Sequence, residues 1–111
     1  MPKEDAGSHV EHARRLASRV TEAGETDREL RLGVLRRGAG GPAIEQPYDA
    51  LAAGIAADSA RVTDAQVDAV LQAAGSEKRA FELVLSAAIG AGLRRWDAAE
   101  RAIEDAGDAA P

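Results

Sequence analysis

The 111-residue sequence predicts a single all-α domain, a compact bundle of about five helices with a long central C-terminal helix. Three observations predict it. Twenty-six residues are Ala, the strongest helix former, whereas aromatics, which strands favour, make up 3% of the chain. A Ser or Thr three positions before a Glu or Gln recurs ahead of apolar stretches, the spacing of a helix capping box. Between these starts the apolar residues return every three or four positions, the period of a helix face. The length suffices for one hydrophobic core and is too short for two.

Taken in order, Ser8-x-x-Glu11 opens a first helix whose inner face is Val10, Ala13, Leu16, Ala17 and Val20, and Gly24 is its stop signal. Residues 1–7 read as a flexible end. Thr26-x-x-Glu29 repeats the box before a short stripe of Leu30, Val34 and Leu35, and the glycines that follow make residues 38–46 a loop. Pro47 suits the first turn of a third helix, because the N–H it lacks would have no intrahelical partner. Tyr48, Leu51, Ala52 and Ile55 give that helix one face, running to about Ala60. Thr63-x-x-Gln66 starts a fourth, with Asp64 at the positive end of the dipole, Val67, Val70, Leu71 and Ala74 inward, and Gly75 closing it.

Ser76 and Glu77 cap the last and longest helix, where Phe81, Val84, Leu85, Ala88, Ile89, Gly92, Leu93, Trp96 and Ile103 fall near one side. A face this wide calls for more than one neighbour. Gly90 and Gly92 each cost up to about 1 kcal/mol of helix propensity relative to Ala, so close packing must compensate. Ala87, Ala88, Ala91 and Gly92 would admit a partner helix at short range. Residues 105–111 turn small and polar and read as a second flexible end.

Composition excludes several chemistries. The chain has no Cys, which removes disulfides, thiolate metal sites and thiol nucleophiles together. A net charge of −5 argues against sequence-independent nucleic-acid binding, in which phosphate neutralisation supplies the affinity. Arg outnumbers Lys 12 to 2, which with the Ala excess matches the coding bias of a GC-rich bacterial genome. The first 15 residues lack the apolar run of a secretory signal, so the expectation is cytoplasmic. The longest apolar stretch, residues 83–93, is half the roughly 20 residues a membrane span needs. The expected partners are further copies of the chain, with room for a different protein partner, and without nucleic acid, membrane or cofactor.

The candidates for site chemistry are few. His9 and His12 stand at i, i+3 on one helix and could offer two metal ligands, but the local sequence supplies no full set. Glu82 lies beside the apolar stripe and Tyr48 starts a helix; these are the polar groups that a small-molecule site between helices would use. The run Gly38-Ala39-Gly40-Gly41 lacks the Gly-Lys-Ser/Thr ending and preceding strand of a P-loop. Residues 67–81 have the helix, Gly-Ser turn and helix of a DNA reader, but the second helix begins with Glu77 and soon becomes apolar.

Residues 62–103 resemble the C-terminal half of the alkylhydroperoxidase D-like and carboxymuconolactone decarboxylase-like proteins, through Thr63-Asp64, Ala74-Gly75-Ser76, Phe81-Glu82 and Ala87-Ala88. The resemblance implies an all-α fold whose members assemble into trimers or hexamers through helix faces. It carries over no catalytic residue. The Cys-x-x-Cys pair of the redox members is missing, and no His follows His12. The expected function is a non-catalytic binding or accessory protein that oligomerises through apolar helix faces, with Phe81, Leu85, Ile89 and Trp96 as interface candidates. The alternative is a cysteine-independent enzyme of the decarboxylase-like type, and a second alternative is a helix-turn-helix DNA binder.

Overall fold

The structure, a computed structural model, describes residues 2–109 and, among these, the side chains of residues 11–107. Five α-helices follow one another, α1 (Pro2–Glu22), α2 (Arg28–Gly38), α3 (Tyr48–Asp58), α4 (Asp64–Ala74) and α5 (Glu77–Ala109), with one 3-10 turn at Ser59–Arg61 and no strand among the described residues. At 1.5 Å per residue the 33 residues of α5 span about 50 Å, which accounts for the 55 Å long axis of a molecule 27 and 21 Å across.

Local chemistry explains most of the boundaries. Thr63 and Gln66 form the reciprocal capping box at the start of α4, and Gly75 ends that helix at φ 93°, where a side chain would strain the backbone. The Ser76 hydroxyl accepts from the Arg79 N–H at 3.2 Å and so opens α5. At the end of α2 the Gly41 N–H bonds the Arg36 carbonyl and the Gly40 N–H bonds the Arg37 carbonyl, with Gly40 at φ 90°, the paired bonds of a Schellman stop. The amides of this glycine run are therefore committed to closing a helix and do not form an anion cradle. Asp49 then clips the following loop to α3, accepting from Arg37 Nε at 2.8 Å and from the Ile44 N–H at 3.1 Å.

Two starts differ from the sequence reading. Helix α1 begins at Pro2, so Ser8 lies inside the helix and is no cap. Helix α2 begins after Asp27, and Thr26 does not cap it, because its hydroxyl is taken by a residue of α5. Regular backbone also continues through residues 2–7 and 105–109, which composition marked as ends.

The core sits where α2, α3 and α4 meet the first half of α5. Val34, Leu51, Ile55, Val70 and Leu83 fill it together with Ala52, Ala80, Ala87 and Ala91. Helix α2 makes the most extensive contact with α5, and the small residues explain how. A methyl group on Gly90 would overlap the carbonyl oxygen of Leu35, and one on Gly38 would overlap the carbonyl oxygen of Ala87. The two backbones pass at a distance that only glycine permits at these two points.

Of the two helical glycines expected to have a packing reason, Gly90 has one, and Gly92 is exposed, with no neighbouring group among the described residues within 4 Å of an added methyl. The long apolar face of α5 is not the one that packs: none of its nine residues is fully buried, and Phe81, Leu85, Trp96 and Ile103 are exposed. The core is met instead by the small residues of the opposite side, Ala80, Ala87 and Ala91, with Leu83.

Replacing Gly90 by Ala is expected to lower stability by about 1–3 kcal/mol, the usual range for overpacking, despite the better helix propensity of Ala. Gly33→Ala in α2, where the new methyl would meet Ile44 at an ordinary 3.5 Å, is expected to raise it by up to about 1 kcal/mol. Urea denaturation followed by circular dichroism measures both, and a loss at Gly33 equal to that at Gly90 would refute the close-approach account.

Candidate functional site

The polar centre of the molecule is Glu82. It projects from α5 into the turn between α1 and α2, where its Oε1 accepts from the Glu25 N–H at 2.7 Å. Its Oε2 accepts from the Thr26 N–H at 2.9 Å and from the Thr26 hydroxyl at 2.7 Å. Burial acts to raise the pKa of this carboxyl, but the bonds from Glu25 and Thr26, with the Arg31 guanidinium nearby, outweigh it and hold the group below its ordinary value of 4.5.

Arg31 completes the arrangement from α2. It is only 3% exposed, and its Nη2 donates to the Thr21 carbonyl at 2.8 Å. Its Nη1 donates to the Thr26 carbonyl and, at 3.2 Å, to the Thr26 hydroxyl oxygen. The guanidinium thus satisfies one carbonyl at the end of α1 and one in the turn, while the carboxylate satisfies amides of the same turn. Gly24 leaves the room for this, since a methyl there would stand 2.9 Å from Glu82 Oε2 and 3.0 Å from Arg31 Nη1. An exposed Lys78–Glu25 ion pair at 3.5 Å lies on the same seam.

This clamp sets α1 beside α5 with its C-terminal end against the start of the long helix. Along the seam two hollows open. One, of about 320 Å³, is lined by Ala13, Leu16, Ile89, Gly92, Leu93 and Trp96 and is almost wholly apolar. The other, of about 240 Å³, includes Val20, Ala23, Phe81 and Leu85. The four interface candidates therefore lie on one side of α5, with Phe81 at 64%, Trp96 at 42% and Leu85 at 37% exposure and Ile89 half-buried.

The other candidates are placed as follows. Tyr48 is half-buried and borders a polar cleft of about 210 Å³ with Thr26, Asp27 and Arg79, a lining that does not include Glu82. That volume is below the roughly 300 Å³ at which small-molecule sites begin. Glu82 itself is bonded through both oxygens, and its lowered pKa makes it a weaker base, the opposite of what proton transfer near neutral pH requires. His12 is exposed on α1, and the side chain of His9 lies outside the described residues. Among the described residues no three His, Cys, Asp or Glu side chains gather where they could hold a metal ion. The helix after the Gly-Ser turn is the one on which the rest of the fold packs.

Arg31 is the residue the sequence reading missed. Its spacing of three from Val34 puts it on the inward stripe of α2, and that spacing was the available signal. No family model, curated protein or solved structure matches the chain. Among the described residues no helix is long and apolar enough to cross a membrane.

Because its folded pKa is lowered, Glu82 contributes stability above pH 4.5 and loses that contribution as pH falls through the folded value. Glu82→Gln is expected to cost on the order of 1–2 kcal/mol at pH 7, the lower part of the range for a charged hydrogen bond at a partly solvated site. The gap to the parent should close in acid, and denaturation curves at pH 7 and pH 3 that differ by the same amount would contradict the clamp.

Proposed function

We propose that this protein acts as a helical binding or accessory protein, without catalysis of its own, that associates with copies of itself through the apolar face of α5. One observation carries the reading. Among the described residues six large apolar side chains, Leu16, Val67, Phe81, Leu85, Trp96 and Ile103, are exposed, whereas Val34, Leu51, Ile55, Val70 and Leu83 are buried and Leu30, Ile44, Tyr48, Val62, Leu71 and Val84 are half-buried against them. Phe81 and Trp96 are among the exposed, so the core contains neither. Exposed apolar residues are unremarkable singly, but four of these share one helix, and contiguous patches of that kind mark interaction surfaces. Association would bury this face and supplement a core rich in Ala.

The likeness of residues 62–103 to alkylhydroperoxidase D-like proteins agrees with an all-α assembling protein and adds no chemistry. The state of Glu82 also favours this reading over an enzyme, since a carboxylate held by two backbone amides is structural in effect.

Light scattering at micromolar concentration is expected to return a multiple of the 11.5 kDa chain mass. Trp96→Glu should return the chain mass with unchanged helicity. Trp96 is the sole Trp, so its emission should shift to the blue as the parent is concentrated. A parent that stays monomeric across that range would refute the proposal.

A further inference from the structure

We infer that the occupant of the exposed α5 stripe is the same stripe of a second copy, laid antiparallel, with Gly92 of both copies at the crossing point. The inference rests on the self-association proposed above and specifies its geometry. Three observations carry it.

The first is the order of side-chain sizes. Phe81, Leu85, Ala88, Gly92, Ala99 and Ile103 follow at spacings of three and four or their sum, which aligns them along one side of the helix, with Trp96 at the edge of the line. A two-fold axis through Gly92 sets residues equally far before and after it against each other. Ala88 then faces Trp96 of the second copy, Leu85 faces Ala99, and Phe81 faces Ile103. The bulky indole meets a methyl group, and the backbones come closest at Gly92, where no neighbouring group among the described residues lies within 4 Å of a methyl position. A parallel pair would instead stack Trp96 on Trp96 and leave a gap at Gly92.

The second is charge. Residues 77–95 of α5 carry four basic and two acidic side chains, whereas residues 96–109 carry one basic and five acidic. An antiparallel pair brings the basic half of each helix beside the acidic half of the other. A parallel pair would join like ends.

The third is extent. Phe81, Leu85, Trp96 and Ile103 together expose on the order of 400 Å². A standard interface takes roughly 800 Å² from each partner, so the stripe supplies about half, with Leu16 of α1 and the intervening small residues beside it. This fits a reversible dimer.

The chain has no Cys, so single-cysteine variants give an unambiguous cross-linking test. Ala88 and Ala99 are both exposed and take the substitution at little cost. In the antiparallel pair residue 99 stands about 21 Å along the axis from residue 99 of the second copy, but only about 4–5 Å from its residue 88. A short bis-maleimide is therefore expected to link an equal mixture of Ala88→Cys and Ala99→Cys chains and to leave Ala99→Cys alone unlinked. Efficient linking of Ala99→Cys alone, with little in the mixture, would establish a parallel pair and overturn the inference while leaving self-association intact. Light scattering that shows an oligomer with neither product would also overturn it, by placing the interface elsewhere. A monomer by light scattering refutes both the geometry and the association on which it rests.

Discussion

The close passage of α2 across α5 is the constraint on which the other contacts depend. Gly38 lies against the Ala87 carbonyl and Gly90 against the Leu35 carbonyl, so each helix presents bare backbone where the other has backbone too. Side chains of ordinary size at either point would hold helices 8–10 Å or more apart. With the pair drawn together, Val34 and Leu83 come into one core, and α3 can lie on both helices at once. A core made of Ala and a few branched residues is sufficient because the helices surrounding it are already close. The abundance of Ala is thus a requirement of this geometry as well as a source of helix propensity.

The Glu82 and Arg31 network follows from the same approach. Arg31 sits two turns before Gly38 on α2, and Glu82 two turns before Gly90 on α5, so the two side chains reach the α1–α2 turn from the two packed helices. Their charges are opposite, and each is matched to backbone groups at the α1–α2 turn: the Thr21 and Thr26 carbonyls for the guanidinium, the Glu25 and Thr26 amides for the carboxylate. Among the described residues the buried Arg31 Nε has no hydrogen-bond partner, and the network is anchored through its two Nη atoms. The result orients α1. Along the rest of the seam α1 and α5 leave two hollows between them, one beside Ala13 and Leu16 and one beside Val20 and Ala23.

The separation of apolar residues on α5 links this architecture to function. One side of the helix is small and inward, the other large and outward, and the helix runs on past its last core residue, Ala91. From residue 97 to 107 every described side chain except Glu100 is exposed. A helix extended past its own core is stabilised little by the rest of the chain, since most helical stability comes from packing of an amphipathic face. A second copy on that face would provide the missing packing.

The sequence alone determined the helical class, the five elements and the punctuation around α4 and the start of α5, because these depend on neighbours within one turn. The Thr63 to Gln66 box, Gly75 at positive φ and the Ser76 cap are local hydrogen-bond and steric facts, and they stand in the structure where the spacing put them. Tertiary structure decided the matters that depend on residues far apart in the chain. Thr26 has the spacing of a cap, yet its hydroxyl serves Glu82, 56 positions away. Gly90 and Gly92 are indistinguishable by propensity, but only Gly90 meets another backbone. The apolar residues of α5 form one broad face by periodicity, yet α2, α3 and α4 meet the helix on Ala80, Leu83, Ala87 and Ala91 of its other side and leave Phe81, Leu85, Trp96 and Ile103 outside. Periodicity defines a face, but the distance and direction of its neighbours decide whether that face is buried.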